Sequence, residues 1–173
     1  MNKCNKIYNI LRLYGYKYKL CDAGYNAMES LSMEKGYKHW NSDITSKDTP
    51  IEAGLDFLCK DKQFLGYFNI NRQKNEGIKR KLICLTLDEN IPMYGNEVIY
   101  RNSECVGFIR RASYSPFIDK SYGYGYIESD SYITSDYINN GIYELEILGR
   151  KYSANIQNGC IFDPENKKIK GIY

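Results

Sequence analysis

The stretch DAGYNAMESLSMEKGYKHW, residues 22–40, predicts a helix that ends at a tight turn. Four apolar residues recur at helical spacing and form one stripe: Ala23, Ala27, Met28 and Leu31. Asp22 is suited to cap the first turn, because its carboxylate can accept hydrogen bonds from free backbone N–H groups. Gly36 can adopt the left-handed conformation that commonly ends a helix. We therefore expect a helix over residues 22–35, followed directly by a change of chain direction.

Glu34 is the unusual residue of this helix, because it lies in the last turn. The helix dipole concentrates partial negative charge at that end, so a carboxylate is disfavoured there. A residue placed against its local preference can be functional. The alternative is that Glu34 pairs with Lys35, Lys38 or another surface cation.

Helical signals continue on both sides of this stretch. Residues 6–18 have an apolar face and predict an amphipathic helix that breaks near Gly15. The segment Thr49-Pro50-Ile51-Glu52 is a capping box with proline at the first helical position. It predicts a short helix over residues 50–58.

The chain changes from helical to strand periodicity at Gly77. Before it, residues 64–76 predict a helix, and the side chains expected to face inward are Phe64, Phe68 and either Leu65 or Ile70. After it, six segments have strand patterns: residues 82–87, 97–101, 105–113, 122–127, 142–148 and 152–156. Turns are predicted at residues 92–96, at Asn102-Ser103-Glu104 and at Gly149-Arg150, and a surface loop over residues 129–141. The sequence thus predicts an α+β chain, with a helical segment over residues 1–77 and a small barrel or sandwich over residues 78–173.

The composition is that of a globular protein, with 173 residues of which 43% are hydrophobic. The net charge of +3 is too small to indicate nucleic-acid binding by itself. No apolar run approaches the roughly 20 residues of a membrane span, so we expect no membrane association.

Cysteine spacing argues against a metal site. The six cysteines are Cys4, Cys21, Cys59, Cys84, Cys105 and Cys160. None belongs to a Cys-x-x-Cys pair, and His39 is the only histidine of the chain, so a zinc site is not predicted. We expect several of these cysteines to be reduced core residues. For His39 itself, a hydrogen-bonded loop residue is the favoured interpretation over a catalyst.

Two basic clusters could bind an anion. Lys79-Arg80-Lys81 opens the first strand, and could hold a phosphate or a glutamyl tail or simply form a solvated strand edge. Arg110-Arg111 lies within a strand, where consecutive side chains point to opposite faces. One of these two arginines should therefore point inward and need an anionic partner.

Motifs from Ile7 to the last residue resemble those of one known family. The motifs are DAGY (22–25), SLSMEKGYKHW (30–40), TPIEAGL (49–55), KLICLT (81–86), PMYG (92–95), VGFIRRA (106–112), FDP (162–164) and KGIY (170–173). They resemble the C-terminal folate-binding region of the sarcosine dehydrogenase family, which is of the aminomethyltransferase type found in glycine cleavage T-proteins. The resemblance implies a partial folate-binding domain over residues 1–77, followed by an antiparallel β-barrel over residues 78–173.

The resemblance also implies an activity and a set of site residues. The family oxidises the N-methyl group of sarcosine with FAD, and tetrahydrofolate accepts the one-carbon unit. Glu34 occupies the position of the pterin-contacting glutamate, and Arg80 matches a basic position near the folate tail. Arg111, from the matching arginine pair, completes the candidate cofactor-binding residues. Lys167 stands where a glycine-cleavage relative has an aromatic folate contact, so that contact is not expected, and no catalytic residue is predicted.

Parts of the family's machinery have no counterpart in this sequence. They are the FAD-binding region and the first part of the folate domain, with the aspartate that assists aminomethyl transfer. We therefore expect this chain to be a C-terminal portion that is inactive alone. It would act on sarcosine or a dimethylglycine-type substrate only as part of a longer flavoenzyme. We also expect the apolar faces of its first two helices to be exposed. The alternatives are a non-catalytic folate-binding module and an RNA-binding relative of the same fold.

The resemblance implies the mitochondrial matrix as the location. The first 21 residues contain five cations and no acidic residue, which superficially suits a presequence. An ordinary helix of the fold is the preferred interpretation, because the resemblance already begins near Ile7.

Overall fold

The N-terminal part of the chain is helical. The computed structural model describes residues 2–60 and 62–172. Its α-helices are α1 (Asn2–Gly15), α2 (Tyr25–Glu34), α3 (Tyr67–Glu76) and the short α4 (Ser135–Asn139), and 3-10 turns occupy Tyr16–Tyr18 and Asp56–Leu58. The predicted break near Gly15 is confirmed, because α1 ends at that residue.

Six antiparallel strands follow and close into a barrel. They are β1 (Arg80–Leu87), β2 (Val98–Arg101), β3 (Glu104–Ser115), β4 (Lys120–Glu128), β5 (Tyr143–Ile147) and β6 (Arg150–Ile156). Around the barrel the order is β1-β4-β3-β2-β5-β6, with β6 pairing back onto β1. The α+β prediction is confirmed: helices come first, and a small antiparallel barrel comes second.

The barrel interior is filled by alternate residues of all six strands. Its buried members include Leu85, Ile99, Ile109, Ile127, Leu145 and Ala154. Strands β1 and β4 are buried on their outer faces too, where Cys84 and Tyr124 pack with Met33 of α2 and Ile161 of the C-terminal segment. A strand that is covered on both faces needs apolar residues throughout, which explains the unbroken run at residues 82–87.

Two-residue turns join two of the strand pairs. Asn102 and Ser103 connect β2 to β3 with φ of 50° and 70°. Leu148 and Gly149 connect β5 to β6 with φ of 51° and 76°, one residue earlier than predicted. Positive φ at both central residues is the geometry that matches the twist of a hairpin.

Helix α2 begins three residues later than predicted and ends one residue earlier, at Glu34. Its N-cap residue is Gly24, and no side chain caps it. The predicted cap, Asp22, instead accepts a hydrogen bond from the Tyr8 hydroxyl at 2.7 Å and pairs with Arg12 at 3.2 Å. These tertiary contacts compete with capping for the same carboxylate. Gly36, with φ of 76°, forms the predicted left-handed turn.

The predicted helix over residues 50–58 is replaced by a turn over residues 50–54 and the 3-10 helix Asp56–Leu58. The capping box itself forms: the Thr49 N–H donates to Glu52 Oε2 at 2.9 Å, and the Glu52 N–H donates to Thr49 Oγ1 at 3.3 Å. Gly54 then adopts φ of 70° and donates its N–H to the Ile51 carbonyl, which ends the turn. The local start signal was therefore correct, but the glycine five residues later stops propagation.

The helices pack against the barrel through few side chains. In α3 only Ile70 is buried, in a small cluster with Ile51 and Ile78, so Ile70 and not Leu65 is the inward residue. The predicted inward positions of Phe64 and Phe68 are wrong, because both residues are exposed. The apolar stripes of α1 and α2 face solvent, as expected; the exposed residues include Ile7, Ile10, Leu11, Met28 and Leu31.

All six cysteines are free, and only Cys84 is buried. Burial raises the pKa of the Cys84 thiol to about 12. Cys4, Cys21 and Cys105 are exposed, so the prediction of core cysteines holds for Cys84 alone.

Candidate functional site

Glu34 lies at the junction of helix α2, the barrel and the C-terminal segment. Its side chain is buried, with 3% of the residue exposed. The carboxylate Oε1 accepts a hydrogen bond from the Ser115 hydroxyl and a longer one from the Phe117 N–H at 3.4 Å. The Glu34 carbonyl accepts the Phe162 N–H at 2.9 Å. Glu34 therefore ties three segments together at the end of the helix.

The alternative pairing of Glu34 with a neighbouring lysine is wrong. Lys35 Nζ binds the Asp163 carboxylate at 2.9 Å, and Lys38 Nζ lies 3.6 Å from the centre of the Tyr124 ring. Within the described residues, no cation pairs with Glu34, and its Oε2 accepts no hydrogen bond. Oε2 is also absent from the buried polar atoms that lack a partner among the described residues, so it is accessible to solvent. The Oε2 atom is thus available to a ligand that carries N–H groups.

An aromatic pair stands beside this carboxylate. Phe117 and Phe162 meet edge to face, with ring centres 5.2 Å apart. Both are tied to Glu34 through their backbone N–H groups, and the Phe117 residue is 59% exposed. An exposed ring next to a carboxylate can stack a flat heterocycle whose N–H groups reach the acid. Phe117 was not predicted from the sequence; the available signal was its place directly after Ser115-Pro116, shortly past the predicted strand 105–113.

Tyrosines of β4 hold α2 in position. The Tyr122 hydroxyl donates to the Ser30 carbonyl and the Tyr124 hydroxyl to the Met33 carbonyl, each at 3.2 Å. Both rings lie on the covered outer face of β4. These two tyrosine hydroxyls therefore hold the backbone of the last turn of α2 against the barrel, and Glu34 is held in place with it.

Arg111 is bound to acidic partners from two segments. Its Nε donates to Asp43 Oδ1 at 3.0 Å, and its guanidinium also contacts Asp43 Oδ2 and donates to Glu29 Oε2 at 2.9 Å. A further hydrogen bond reaches the Tyr37 carbonyl at 2.9 Å. The Asp43 carboxylate is fully buried, whereas 42% of the Glu29 side chain is exposed. The structure thus places Arg111 between α2 and the loop that follows it.

The expectation that Arg110 and Arg111 face opposite sides is wrong. Ile109 pairs with Gly125 and Arg111 with Tyr124, so Arg110 is an extra, bulged residue of β3. A bulge shifts the side-chain alternation by one position. Both arginines therefore lie outside the barrel, and Arg110 binds Asp48 at 2.9 Å.

Arg80 shares the same acidic partner as Arg110. Its guanidinium contacts Asp48, pairs with Glu128 at 3.1 Å and lies 3.9 Å from the centre of the Tyr126 ring. Burial acts to raise the pKa of Asp48, but hydrogen bonds from Arg80, Thr45 and Arg110 outweigh it and hold the pKa below its ordinary value. The three predicted cofactor-binding residues therefore have different surroundings. Glu34 lies at the end of α2, Arg111 is paired with Asp43, and Arg80 is paired with Asp48.

The loop of residues 37–48 is organised by its two buried acids. The His39 N–H donates to Asp43 Oδ2 at 2.7 Å, and the Thr45 N–H donates to Asp48 Oδ2 at 2.7 Å. His39 is exposed, and its Nδ1 lies 3.1 Å from Ser42 Oγ, which confirms it as a hydrogen-bonded loop residue. The roles of Asp43 and Asp48 were not predicted, although the two adjacent arginines signalled a need for acids.

The comparisons with known proteins agree with this fold and with the motifs. Residues 1–63 match the GCVT N-terminal domain, and residues 80–163 match the glycine cleavage T-protein C-terminal barrel domain. The chain belongs to the glycine cleavage T-protein family. Within it, the chain is similar to the mitochondrial sarcosine dehydrogenase of Mus musculus, with 43% identity over 98% of this chain and 19% of that protein. The family resemblance seen in the sequence is confirmed.

Two further known proteins are similar to this chain, one in sequence and one in fold. The mitochondrial pyruvate dehydrogenase phosphatase regulatory subunit of Mus musculus is 31% identical over 86% of this chain and 19% of its own length. The solved aminomethyltransferase T of Bartonella henselae shares the fold, with a TM-score of 0.69 and 21% identity over 80% of this chain and 38% of that one. The chain thus spans about a fifth of the two mitochondrial relatives.

Neither a membrane helix nor a metal cluster occurs in the described part of the chain. Over residues 2–60 and 62–172, no helix is both long and apolar enough to cross a membrane. The same residues contain no group of three or more His, Cys, Asp or Glu side chains that could hold a metal ion.

Proposed function

We propose that this chain is the C-terminal tetrahydrofolate-binding portion of a sarcosine dehydrogenase-like flavoenzyme. Its similarity to a sarcosine dehydrogenase over nearly the whole chain supports this assignment. The observation that carries it is Glu34, a buried residue whose carboxylate has one oxygen free of hydrogen bonds from the described residues. The family resemblance implies a pterin contact at this position.

The residues around Glu34 fit a pterin ring. The carboxylate would accept hydrogen bonds from pterin N–H groups, which are charge-assisted and therefore strong. The exposed ring of Phe117 offers a stacking surface at the same place. Ser115 would hold Oε1 and so orient Oε2 toward the ligand. Bound tetrahydrofolate would supply the acceptor for a one-carbon unit.

Arg80 and Arg111 remain our candidates for the carboxylates of the folate tail. Each arginine has one buried acidic partner, and each has one exposed partner, Glu128 and Glu29 respectively. A ligand carboxylate could replace the exposed partner at little cost, because exposed ion pairs contribute little stability. The buried pairs would stay intact and keep the guanidinium groups in place.

The remaining parts of the activity belong to a longer protein. We propose that FAD and the sarcosine or dimethylglycine-type substrate bind outside residues 1–173, that the isolated chain is inactive, and that the full enzyme works in the mitochondrial matrix. We also propose that this chain consists of two domains, residues 1–77 and residues 78–173. We further propose that it has no nucleic-acid or membrane partner.

The test is calorimetric titration of the purified chain with tetrahydrofolate. The key variant is Glu34→Gln, which preserves the shape of the side chain and an acceptor for Ser115. The control is Glu165→Gln, which removes the same charge from an exposed pair with Lys167. We expect the wild type and E165Q to bind alike and E34Q to bind at least about tenfold more weakly, since a lost charged hydrogen bond is worth about 1.5–3 kcal/mol. Equal affinity in both variants would refute a pterin site at Glu34.

A non-catalytic regulatory module is the second candidate. It is favoured by the similarity to a phosphatase regulatory subunit over 86% of this chain. A well-folded wild-type chain that shows no heat of binding with tetrahydrofolate would favour this candidate over the first.

A further inference from the structure

A groove of about 960 Å³ runs along the outside of the barrel, between the turn after α2, the turn before the 3-10 helix Asp56–Leu58 and the C-terminal segment. Its floor includes β1 residues Leu82 and Cys84, and exposed apolar side chains of Phe57 and Ile169 line its rim. Three lysines also line it, and no Asp or Glu does among the described residues. The groove therefore combines apolar walls with positive charge.

Two of the three lysines are already engaged. Lys35 Nζ forms a 2.9 Å ion pair with Asp163, and Lys81 Nζ donates to the Ile51 carbonyl at 2.9 Å. Lys38 differs from both. Its Nζ lies 3.6 Å from the centre of the Tyr124 ring and, over residues 2–60 and 62–172, forms no hydrogen bond or ion pair.

The Lys38 ammonium is therefore partly buried against the Tyr124 ring, is still reached by solvent, and has no hydrogen-bonding partner among the described residues. Its partial burial lowers the pKa of Lys38 to about 8, although the Asp43 charge acts in the opposite direction. The ring face of Tyr124 compensates only in part, because a cation–π contact is weaker than a charged hydrogen bond. An anion that entered the groove would supply the missing acceptor and raise the lysine's pKa again.

This groove is separate from the candidate folate site. Glu34, Arg80 and Arg111 do not line it. The partners of the Glu34 carboxylate, Ser115 and Phe117, do not line it either. Whatever binds here would leave the Glu34 carboxylate untouched.

We propose that this groove binds small organic monocarboxylates, with the carboxylate against Lys38 and an apolar body along the walls. One unpartnered cation matches one negative charge. Apolar walls disfavour a dianion such as phosphate, because its second charge would lose water without gaining a partner. The exposed rings and aliphatic chains of the rim would gain from contact with a hydrocarbon body.

The test uses hexanoate as the probe and hexanol as its uncharged analogue, with binding followed by amide chemical-shift changes of the full chain. Hexanoate should bind at least tenfold more tightly than hexanol, and should shift amides around Lys38 and Leu82. Affinity for hexanoate should fall about tenfold between pH 7 and pH 9, because Lys38 loses its proton near pH 8 while hexanoate stays charged. This pH series uses the wild-type chain alone, so it does not depend on a variant that folds.

Matched variants assign the effect to Lys38. Lys38→Met should weaken hexanoate binding at least tenfold, whereas Lys38→Arg should retain it. Lys47→Met removes the same charge from an exposed loop position and should leave binding unchanged. Equal binding of hexanoate and hexanol, no binding to the folded wild type, or full binding by K38M would each overturn the proposal. Glu34→Gln should leave hexanoate binding unchanged, so failure of the folate proposal would be distinguishable from failure of this one.

Discussion

Asp48 should be a main stabilising residue of the contact between the N-terminal segment and the barrel. Its side chain is fully buried and binds Arg80 of β1 and Arg110 of β3, and it also accepts hydrogen bonds from the Thr45 N–H and hydroxyl. The perturbation is Asp48→Ala. It would leave two guanidinium groups and one backbone N–H without their acceptor.

The expected loss follows from burial. Removing one partner of a buried ion pair costs about 3–5 kcal/mol. The arginine side chains remain 22% and 15% exposed and could turn toward water, so we expect the lower end of that range. For a chain of this size, a loss of about 3 kcal/mol lowers the melting temperature by roughly 6–12 °C.

The assay is thermal and urea unfolding followed by circular dichroism, with Asp88→Ala as the control. Asp88 also pairs with a β-strand cation, Lys120, but the side chains of that pair are 60% and 38% exposed. The control should change stability little. A loss in D48A no larger than in D88A would refute the assignment of stability to the buried pair.

The pH dependence gives a second check on the same residue. The pKa of Asp48 is lower in the folded chain than its ordinary value, so its stabilising contribution is present at neutral pH and is lost as pH falls through the folded pKa. The difference between wild type and D48A should therefore be full at pH 7 and shrink as pH falls below about 4, the ordinary pKa of an aspartate. A difference that stays constant over this range would contradict the ionic account.

Three further predictions test other parts of the molecule. Ser115→Ala should weaken tetrahydrofolate binding roughly tenfold in calorimetry, because Glu34 loses the donor that orients it. Gly125→Ala should prevent normal barrel folding, because a Cβ there would lie 2.6 Å from a backbone oxygen of β3, and the loss should appear as reduced chemical-shift dispersion. In the control Gly24→Ala the added Cβ meets nothing within 4 Å, so this variant should fold normally. Trinitrobenzenesulfonate, which reacts with neutral amines, should modify Lys38 before the exposed lysines at pH 8, as mapped by mass spectrometry. About half of the Lys38 side chains are neutral at this pH, whereas under about 1% of ordinary lysine side chains are.

The strands could be predicted from the sequence because their pattern reflects burial directly. In β5, Tyr143, Leu145 and Ile147 are buried and the two glutamates between them are not, as the alternation indicated. The continuous apolar run of β1 indicated burial on both faces, and the structure has it. Period-two patterns carry this information because each residue's face is determined by its position in the strand.

Two wrong sequence predictions, the Asp22 cap and the opposite faces of Arg110 and Arg111, have a shared physical cause, which is contact with residues distant in the sequence. Asp22 has the right chemistry for a cap, but Tyr8 and Arg12 reach its carboxylate. The bulge at Arg110 depends on how β3 pairs with β4, and nothing in the local sequence signals it. Local propensity predicts what a side chain can do, and tertiary contacts decide what it does.

Glu34 shows how the structural and functional roles of one residue can be separated. Ser115, Phe117 and Phe162 all bond to it, so it stabilises the junction whether or not a ligand binds. Among the described residues only Oε1 is used. The other oxygen, Oε2, is not among the buried unpartnered atoms of the described residues, so solvent or a ligand can reach it. If the role were structural alone, E34Q would lower the melting temperature and leave tetrahydrofolate affinity unchanged. We expect the reverse emphasis: a small change in stability, because the amide still accepts the Ser115 hydrogen bond, and a large loss of affinity, because the neutral amide binds pterin N–H groups weakly.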